Sequence, residues 1–492
     1  MSSRTERLAL LVAAVSMLPG GVALGEVNSA PAAQQEVRLV APRLSAPEDL
    51  FAGGVRYEPD APGSPFIEEG PTAPAPEDEG YQRPAAEPPL RPAAQPLEPE
   101  QFADDAPVYR APPPPAGPKP WRLPQPRVLQ AAGITMGGWL QQGITLNAQV
   151  PQDRLNGPIA TNDRHAEWQM NQLWLFFEKP IDNGGYGWDL GGRLDMVYGS
   201  DYRFGLNWGL EDKINGVDQF YGLVIPQMYA EVAYNDLSVK LGHFAGILSY
   251  EQVPSVANFF YSHSYAMYFT EPLLVTGLLA DYKLTDQWSL LAGFHRGWMM
   301  WEDLNDELDF MGGVKWVSLD KSTSISYTVD VGPQDVAGDQ NRFAHSLLIQ
   351  RQLTEKLRYV LQQNLGHENN GDPRSNQDAE WYGINQYLIY RIDDAWSAGV
   401  RIEWLRDQKG LFYGPGNLPD NSRAWAGGPG FAGDWFEMSW GLNWRPCPNM
   451  VVRPELRYDS YSGTRDVKGN LPFDDGNKAH QFTVAADMII TY

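Results

Sequence analysis

From residue 133 onward the chain is a succession of segments, each about 10 to 14 residues long, in which apolar and polar side chains alternate. That period of two restricts the region to structures built from strands. In 186–198, Tyr186, Trp188, Leu190, Leu194, Met196 and Tyr198 share one face, opposite Asp189, Arg193 and Asp195. In 396–406, Trp396, Ala398, Val400, Ile402 and Trp404 oppose Ser397, Arg401 and Glu403. In 435–445, Phe436, Met438, Trp440, Leu442 and Trp444 oppose Glu437, Ser439 and Asn443. The stretch FTVAADMIITY, 482–492, puts Phe482, Val484, Ala486, Met488, Ile490 and Tyr492 on one wholly apolar face.

Two architectures use such strands: a sandwich with a dry aliphatic core, or a barrel whose apolar side meets lipid. Aromatic residues decide between them. Trp396 with Trp404, and Tyr186 with Tyr198, stand at the two ends of their apolar stripes. Indole and phenol rings favour the boundary between hydrocarbon and water, so such pairs read as two girdles of a membrane band, with Trp440, Trp444 and Tyr492 on the same lipid-facing side.

The links argue more strongly. Strands are expected near 133–148, 168–179, 185–198, 225–235, 236–246, 273–284, 287–299, 308–319, 322–332, 342–354, 356–367, 380–392, 395–406, 434–445, 449–461 and 480–492. Tight turns such as LTDQW, LTEKL and IDDAW alternate with long stretches such as 199–224, 247–272 and 407–433. About sixteen antiparallel strands with short turns on one side and long loops on the other are the plan of an all-β transmembrane barrel. The last strand is then expected to pair with the first, because an open edge in hydrocarbon leaves backbone groups without partners. The terminal aromatic also resembles the signal by which barrel-assembly machinery of Gram-negative envelopes recognises its clients.

The amino-terminal portion has a different texture. Arg4 and Arg7 precede LALLVAAVSML, and Ala23 and Gly25 suit cleavage before Glu26, so 1–25 reads as a secretory signal peptide. Residues 26–127 hold 24 of the 40 prolines, including PPPP at 112–115, with little periodicity. They read as a disordered periplasmic spacer, or as a tether to a cell-wall polymer, ahead of a barrel at 128–492. No later run is long and apolar enough for a membrane helix. The mean hydropathy of -0.40 suits strands that alternate lipid-facing with polar residues.

The single cysteine, Cys447, excludes an intramolecular disulfide. A net charge of -23 argues against a nucleic-acid partner, which needs a basic footprint. Sixteen strands enclose more space than side chains fill, so a water-filled lumen is expected. Its candidate lining is Asp189, Arg193, Asp195, Lys240, Arg401, Glu403, Arg453, Glu455, Arg457 and Asp459, charges of both signs that could hold water or pair off along the wall.

The stretch GILSYEQVPSVANFFYSHSYAMYFTEPLLVTG, 246–277, is too aromatic for a water-exposed loop. Folded inward, it would bury Phe259, Phe260, Tyr261 and Tyr265 and form a constriction to which Glu251, His263 and Glu271 add polar groups; packed on the rim, it would support an oligomer. Its GxxxYExxP, NFFYSHSY and EP elements, with the strand plan and terminal aromatic, resemble the OmpL-like beta-barrel porin family over roughly 130–492. The resemblance implies an outer-membrane porin, a passive channel for ions and small hydrophilic solutes, without naming a solute; general porins often trimerise.

A barrel hydrolase would need a nucleophile, a histidine and a carboxylate converging at one depth. Ser262, His263 and Ser264 adjoin, yet strand neighbours point to opposite faces. The seven histidines fall in no zinc spacing, and no phosphate loop or dinucleotide motif is present, so neither catalysis, metal nor cofactor is expected. A structural anchor that grips the wall through the proline-rich segment is the other alternative.

Overall fold

The computed structural model describes residues 120–492 except 216–218, 339, 373–374, 411–429 and 467. The signal-peptide and proline-rich readings, up to residue 119, and most of the long link at 407–433 lie outside the described residues. A short helix, α1 (Arg127–Ala131), precedes sixteen strands. The first eight are β1 (Thr135–Asn147), β2 (Trp168–Lys179), β3 (Trp188–Gly199), β4 (Gly222–Tyr234), β5 (Leu237–Ala245), β6 (Leu274–Lys283), β7 (Trp288–His295) and β8 (Asp309–Val317). The rest are β9 (Thr323–Pro333), β10 (Asn341–Gln352), β11 (Leu357–Glu368), β12 (Ala379–Arg391), β13 (Trp396–Asp407), β14 (Gly433–Cys447), β15 (Met450–Gly463) and β16 (His480–Thr491).

Every strand pairs antiparallel with its neighbours in sequence, and β1 pairs with β16, which closes the barrel. The expected strand count, closure and alternation of links are therefore all found. The closing seam runs from Asn147 opposite Thr483 to Trp139 opposite Thr491. Tyr492 continues it through two hydrogen bonds with Gly138, at 2.9 and 3.1 Å. The two-residue link between β4 and β5 is turned by Asn235, whose φ of 53° is a conformation asparagine tolerates.

Burial is inverted relative to a soluble domain. Leu190, Leu241 and Phe294 are 62%, 61% and 52% exposed on the outside, while Arg401 and Glu437 inside are 0% exposed. Outward leucine and aromatic faces of this extent suit lipid. Trp396 faces Trp444 across the β13–β14 pair at the short-turn end, rings stacked 5.7 Å apart. Trp188 with Tyr234, and Trp288 with Trp316, repeat the arrangement at the same end. At the long-loop end Trp404 lies opposite Phe436 and beside Tyr382. Eight residues separate Trp396 from Trp404, roughly 27 Å along a strand at about 3.4 Å per residue.

Other aromatic positions differ from the two-ring expectation in instructive ways. Trp440 pairs with Val400 in mid-strand, within the band between the rings. Tyr186 precedes β3 in the turn and is highly exposed, whereas Tyr198 sits on the outer face at the far end of β3. Tyr492 lies at the seam, where its hydroxyl donates to the Trp174 carbonyl at 2.8 Å.

Candidate functional site

The link between β5 and β6, residues 246–273, is the long loop that shapes the interior. In a ring of sixteen strands, β5–β6 and β13–β14 stand on opposite sides. Yet this loop hydrogen-bonds to residues of β13 and β15, so it crosses the lumen. It contains a 3₁₀ turn at Ser255–Ala257 and a helix, α2 (Tyr265–Phe269), capped by the Ser264 hydroxyl, which accepts from Met267 N–H at 3.3 Å.

A chain buried without sheet pairing leaves its peptide groups unsatisfied unless side chains reach them. Here the charges of β13 and β15 do so. Guanidiniums serve the carbonyls: Arg401 donates to Ser262 O at 2.8 Å, Arg453 to Asn258 O at 2.8 Å and Arg457 to His263 O at 2.6 Å. Carboxylates serve the amides: Glu455 accepts from Tyr261 and Ser262 N–H at 2.8 and 3.1 Å. Glu403 accepts from Tyr265 and Ala266 N–H, both at 2.7 Å, at the start of α2. The Tyr265 hydroxyl donates to Asp459 at 2.5 Å.

Arg401 is the centre of this arrangement. Besides Ser262 it bonds Glu251 from the loop at 2.8 Å and Glu437 from β14 at 3.0 Å, and it lies 5.0 Å from the Phe260 ring centre. Glu251 also takes hydrogen bonds from Tyr387 at 2.9 Å and Ser264 N–H at 2.9 Å, and faces His263 at 3.2 Å. Burial alone would raise the Glu251 carboxyl, but Arg401 and His263 beside it hold it below the usual carboxylate range. Among the described residues Glu271 has no cation in contact: it accepts from Gln362 and Asn364, each at 3.1 Å, and burial pushes it up to about 8.

The aromatic triplet at 259–261 fits the wall because the wall carries glycines there. A Cβ at Gly399 would lie 2.4 Å from the Phe259 ring, one at Gly441 3.0 Å from Phe260, and one at Gly143 2.8 Å from Tyr261. Phe259 and Phe260 then pack with Leu348, Val360, Tyr387 and Ile389. On the other flank, Gln172 of β2 bonds Val253 O and Ser255 N–H, and the Tyr261 hydroxyl reaches Asn171 at 3.0 Å.

Of the ten charges expected to line a lumen, Arg401, Glu403, Arg453, Glu455, Arg457 and Asp459 all point inward but are buried against the loop, not open to water. Asp195 is buried too, bonded to Arg193 at 2.8 Å and Gln227 at 3.1 Å. Asp189 and Lys240 face inward near the short-turn end, where Lys240 lies 5.3 Å from the Tyr229 ring centre. Sequence reading missed their inward neighbours Glu178, Glu231, Asp281 and Lys315, which the alternation could have supplied. Glu178 pairs with Arg193 at 3.2 Å, Glu231 stands opposite Lys240, and Lys315 lies 3.6 Å from Asp281. A partly exposed ladder of alternating sign thus runs along β2–β8.

The Ser262 hydroxyl is bonded by Arg401 at 2.8 Å, and among the described residues neither it nor the Ser264 hydroxyl is hydrogen-bonded to His263.

The family model for putative beta-barrel porin-2, OmpL-like, matches residues 133–492. The chain belongs to that family. As an OmpL-like porin it is an outer-membrane β-barrel protein of channel type, and the match spans all the strands and the crossing loop. No curated protein matches this OmpL-like chain. Among solved structures, it is similar to the outer membrane channel DcaP of Acinetobacter baumannii at 12% identity and a TM-score of 0.47, covering 73% of this chain and 97% of that one. An anion-selective porin from Comamonas acidovorans aligns at 10% identity and a TM-score of 0.49, covering 73% and 99%. Pseudomonas putida OprB aligns at 12% and 0.45, covering 74% and 96%.

Proposed function

We propose that this OmpL-like barrel is a water-filled channel through which ions and small hydrophilic solutes diffuse across an outer membrane without chemical conversion. The observation that carries the reading is the crossing loop, anchored by Arg401, Glu403, Glu455 and Arg457 on one side of the wall while the charged ladder of β2–β8 stays partly exposed. A barrel serving only as an anchor has no need of a wetted wall carrying both signs of charge. In such a channel Lys240, Lys315, Glu178, Glu231 and Asp281 line the path, and the loop sets its width.

The reading includes outer-membrane lipid around the tryptophan rings, insertion by barrel-assembly machinery, and residues 26–127 as a periplasmic spacer. Chemical crosslinking of the detergent-extracted protein tests for a homotrimer. Swelling of liposomes containing the protein, in sugars of graded size, tests passage itself. Swelling that falls off with sugar size supports the channel, and liposomes that behave like protein-free ones refute it.

A further inference from the structure

A second group of inward-facing ionisable side chains takes no part in holding the loop. His295 ends β7, Asp309 begins β8 and Asp330 belongs to β9. Register puts His295 opposite Asp309, and Asp330 opposite Met311 two residues along. One donor atom from each lies within 4.8 Å of the other two, and the three residues are 0%, 1% and 2% exposed.

Each donor is oriented by a further partner. His295 Nε2 faces Asp330 Oδ2 at 2.7 Å, while its Nδ1 lies 3.3 Å from the Gly297 carbonyl and 3.1 Å from the Gly297 amide. The other Asp330 oxygen accepts from the Trp298 indole at 2.8 Å. Asp309 Oδ2 accepts from the Gln334 amide at 2.5 Å. The backbone makes room for the remaining oxygen: a Cβ on Gly332 would lie 1.9 Å from Asp309 Oδ1.

Two adjacent buried carboxylates need positive charge close by. The imidazole supplies at most one. Arg342 is near, but its guanidinium is bonded to Glu368 at 2.6 Å and stacked 4.4 Å from the Trp298 ring centre. Asp309, although buried, accepts only the Gln334 hydrogen bond among the described residues. One imidazole and two carboxylates, each steered by an outer partner, are the donor set and the support that a first-row divalent metal takes. Metal–ligand bonds of about 2.0–2.2 Å separate neighbouring donors by about 3.3 Å, within reach of small side-chain rotations here.

We propose that His295, Asp309 and Asp330 bind a divalent transition-metal ion, of the Zn²⁺ or Mn²⁺ kind, tying β7, β8 and β9 together at the long-loop end of the wall. The site is independent of the channel reading. No sequence motif signals it, because its residues come from three strands and meet only through register.

The test is calorimetric titration of the tag-free full chain, stripped with EDTA in detergent, with ZnCl₂ and separately with MnCl₂. One saturable site per barrel and a metal-dependent rise in unfolding temperature are expected for at least one ion. Asp309→Asn and Asp330→Asn should abolish both, and Trp298→Phe should weaken binding about tenfold. No saturable binding of either ion, or binding that survives both asparagine variants, overturns the proposal. Should a variant fail to fold, the visible spectrum of the Co²⁺-loaded wild type decides. Bands of nitrogen- and oxygen-ligated Co²⁺ in the site support it, and the free aqua-ion spectrum overturns it.

Discussion

The side-chain amide of Gln125 pairs with the backbone of Met136 in both directions: Met136 N–H donates to Oε1 at 2.8 Å, and Nε2 donates to the Met136 carbonyl at 2.7 Å. Along the edge of β1 this is one pairing step beyond Gly138, which bonds Tyr492. The Gln125 amide therefore imitates a strand residue where β16 supplies none. Asn449 does the same for Trp121, accepting from its N–H at 2.7 Å and donating to its carbonyl at 2.8 Å. Gln125→Ala removes these two hydrogen bonds and a third, from Nε2 to the Leu123 carbonyl at 2.9 Å, so a loss of about 1.5–4.5 kcal/mol is expected in urea unfolding of the reconstituted barrel. Gln125→Glu should lose the donor and recover only part.

Arg401→Ala leaves Glu251 and Glu437 buried without their cation and Ser262 O without its donor. Breaking a buried pair on one side costs about 3–5 kcal/mol. The expected outcome is a less stable barrel with noisier, larger current steps as the loop detaches. Unfolding curves and bilayer recordings of the same preparation check both parts.

Gly399→Ala places a methyl group against the Phe259 ring, and Gly441→Ala does so against Phe260. Overpacking of this kind costs about 1–3 kcal/mol. Pairing Gly399→Ala with Phe259→Leu should recover most of the loss in a double-mutant cycle, because the clash is with that ring.

Glu271 holds its proton to about pH 8, above the ordinary carboxyl value near 4.3. The folded state thus binds the extra proton, so its contribution to stability is full below about pH 4 and is lost as pH rises to about 8. Wild type should lose stability relative to Glu271→Gln between pH 5 and pH 9, read as a widening gap in unfolding midpoint.

Reversing Lys315 to Glu changes the sign of one rung of the ladder beside Asp281. If this wall is wetted, the reversal potential in a salt gradient should move toward cation preference, and Asp281→Lys should move it the other way.

How much of this was legible in the sequence follows from the range of each interaction. Strands such as 396–407 show themselves because period two is local, and lipid selects tryptophan at their ends. The inward course of the 246–273 loop was open to inference because Phe259, Phe260 and Tyr261 have no place in water. The work done by Arg401, Glu403, Glu455 and Arg457 was hidden, since an inward charge reads the same whether it meets water or a loop. Only closure, which sets β13–β15 across from β5–β6, decides that. The glycines at 143, 399 and 441 and the meeting of His295 with Asp330 likewise depend on register between distant segments.

The most direct test of the account is single-channel conductance in planar bilayers for the wild type and for a barrel in which residues 247–270 are replaced by a short Gly/Ser link. Discrete steps in the wild type and larger steps in the shortened protein are predicted. Equal steps in the two proteins, or no steps from either, would contradict a water-filled channel whose width this loop sets.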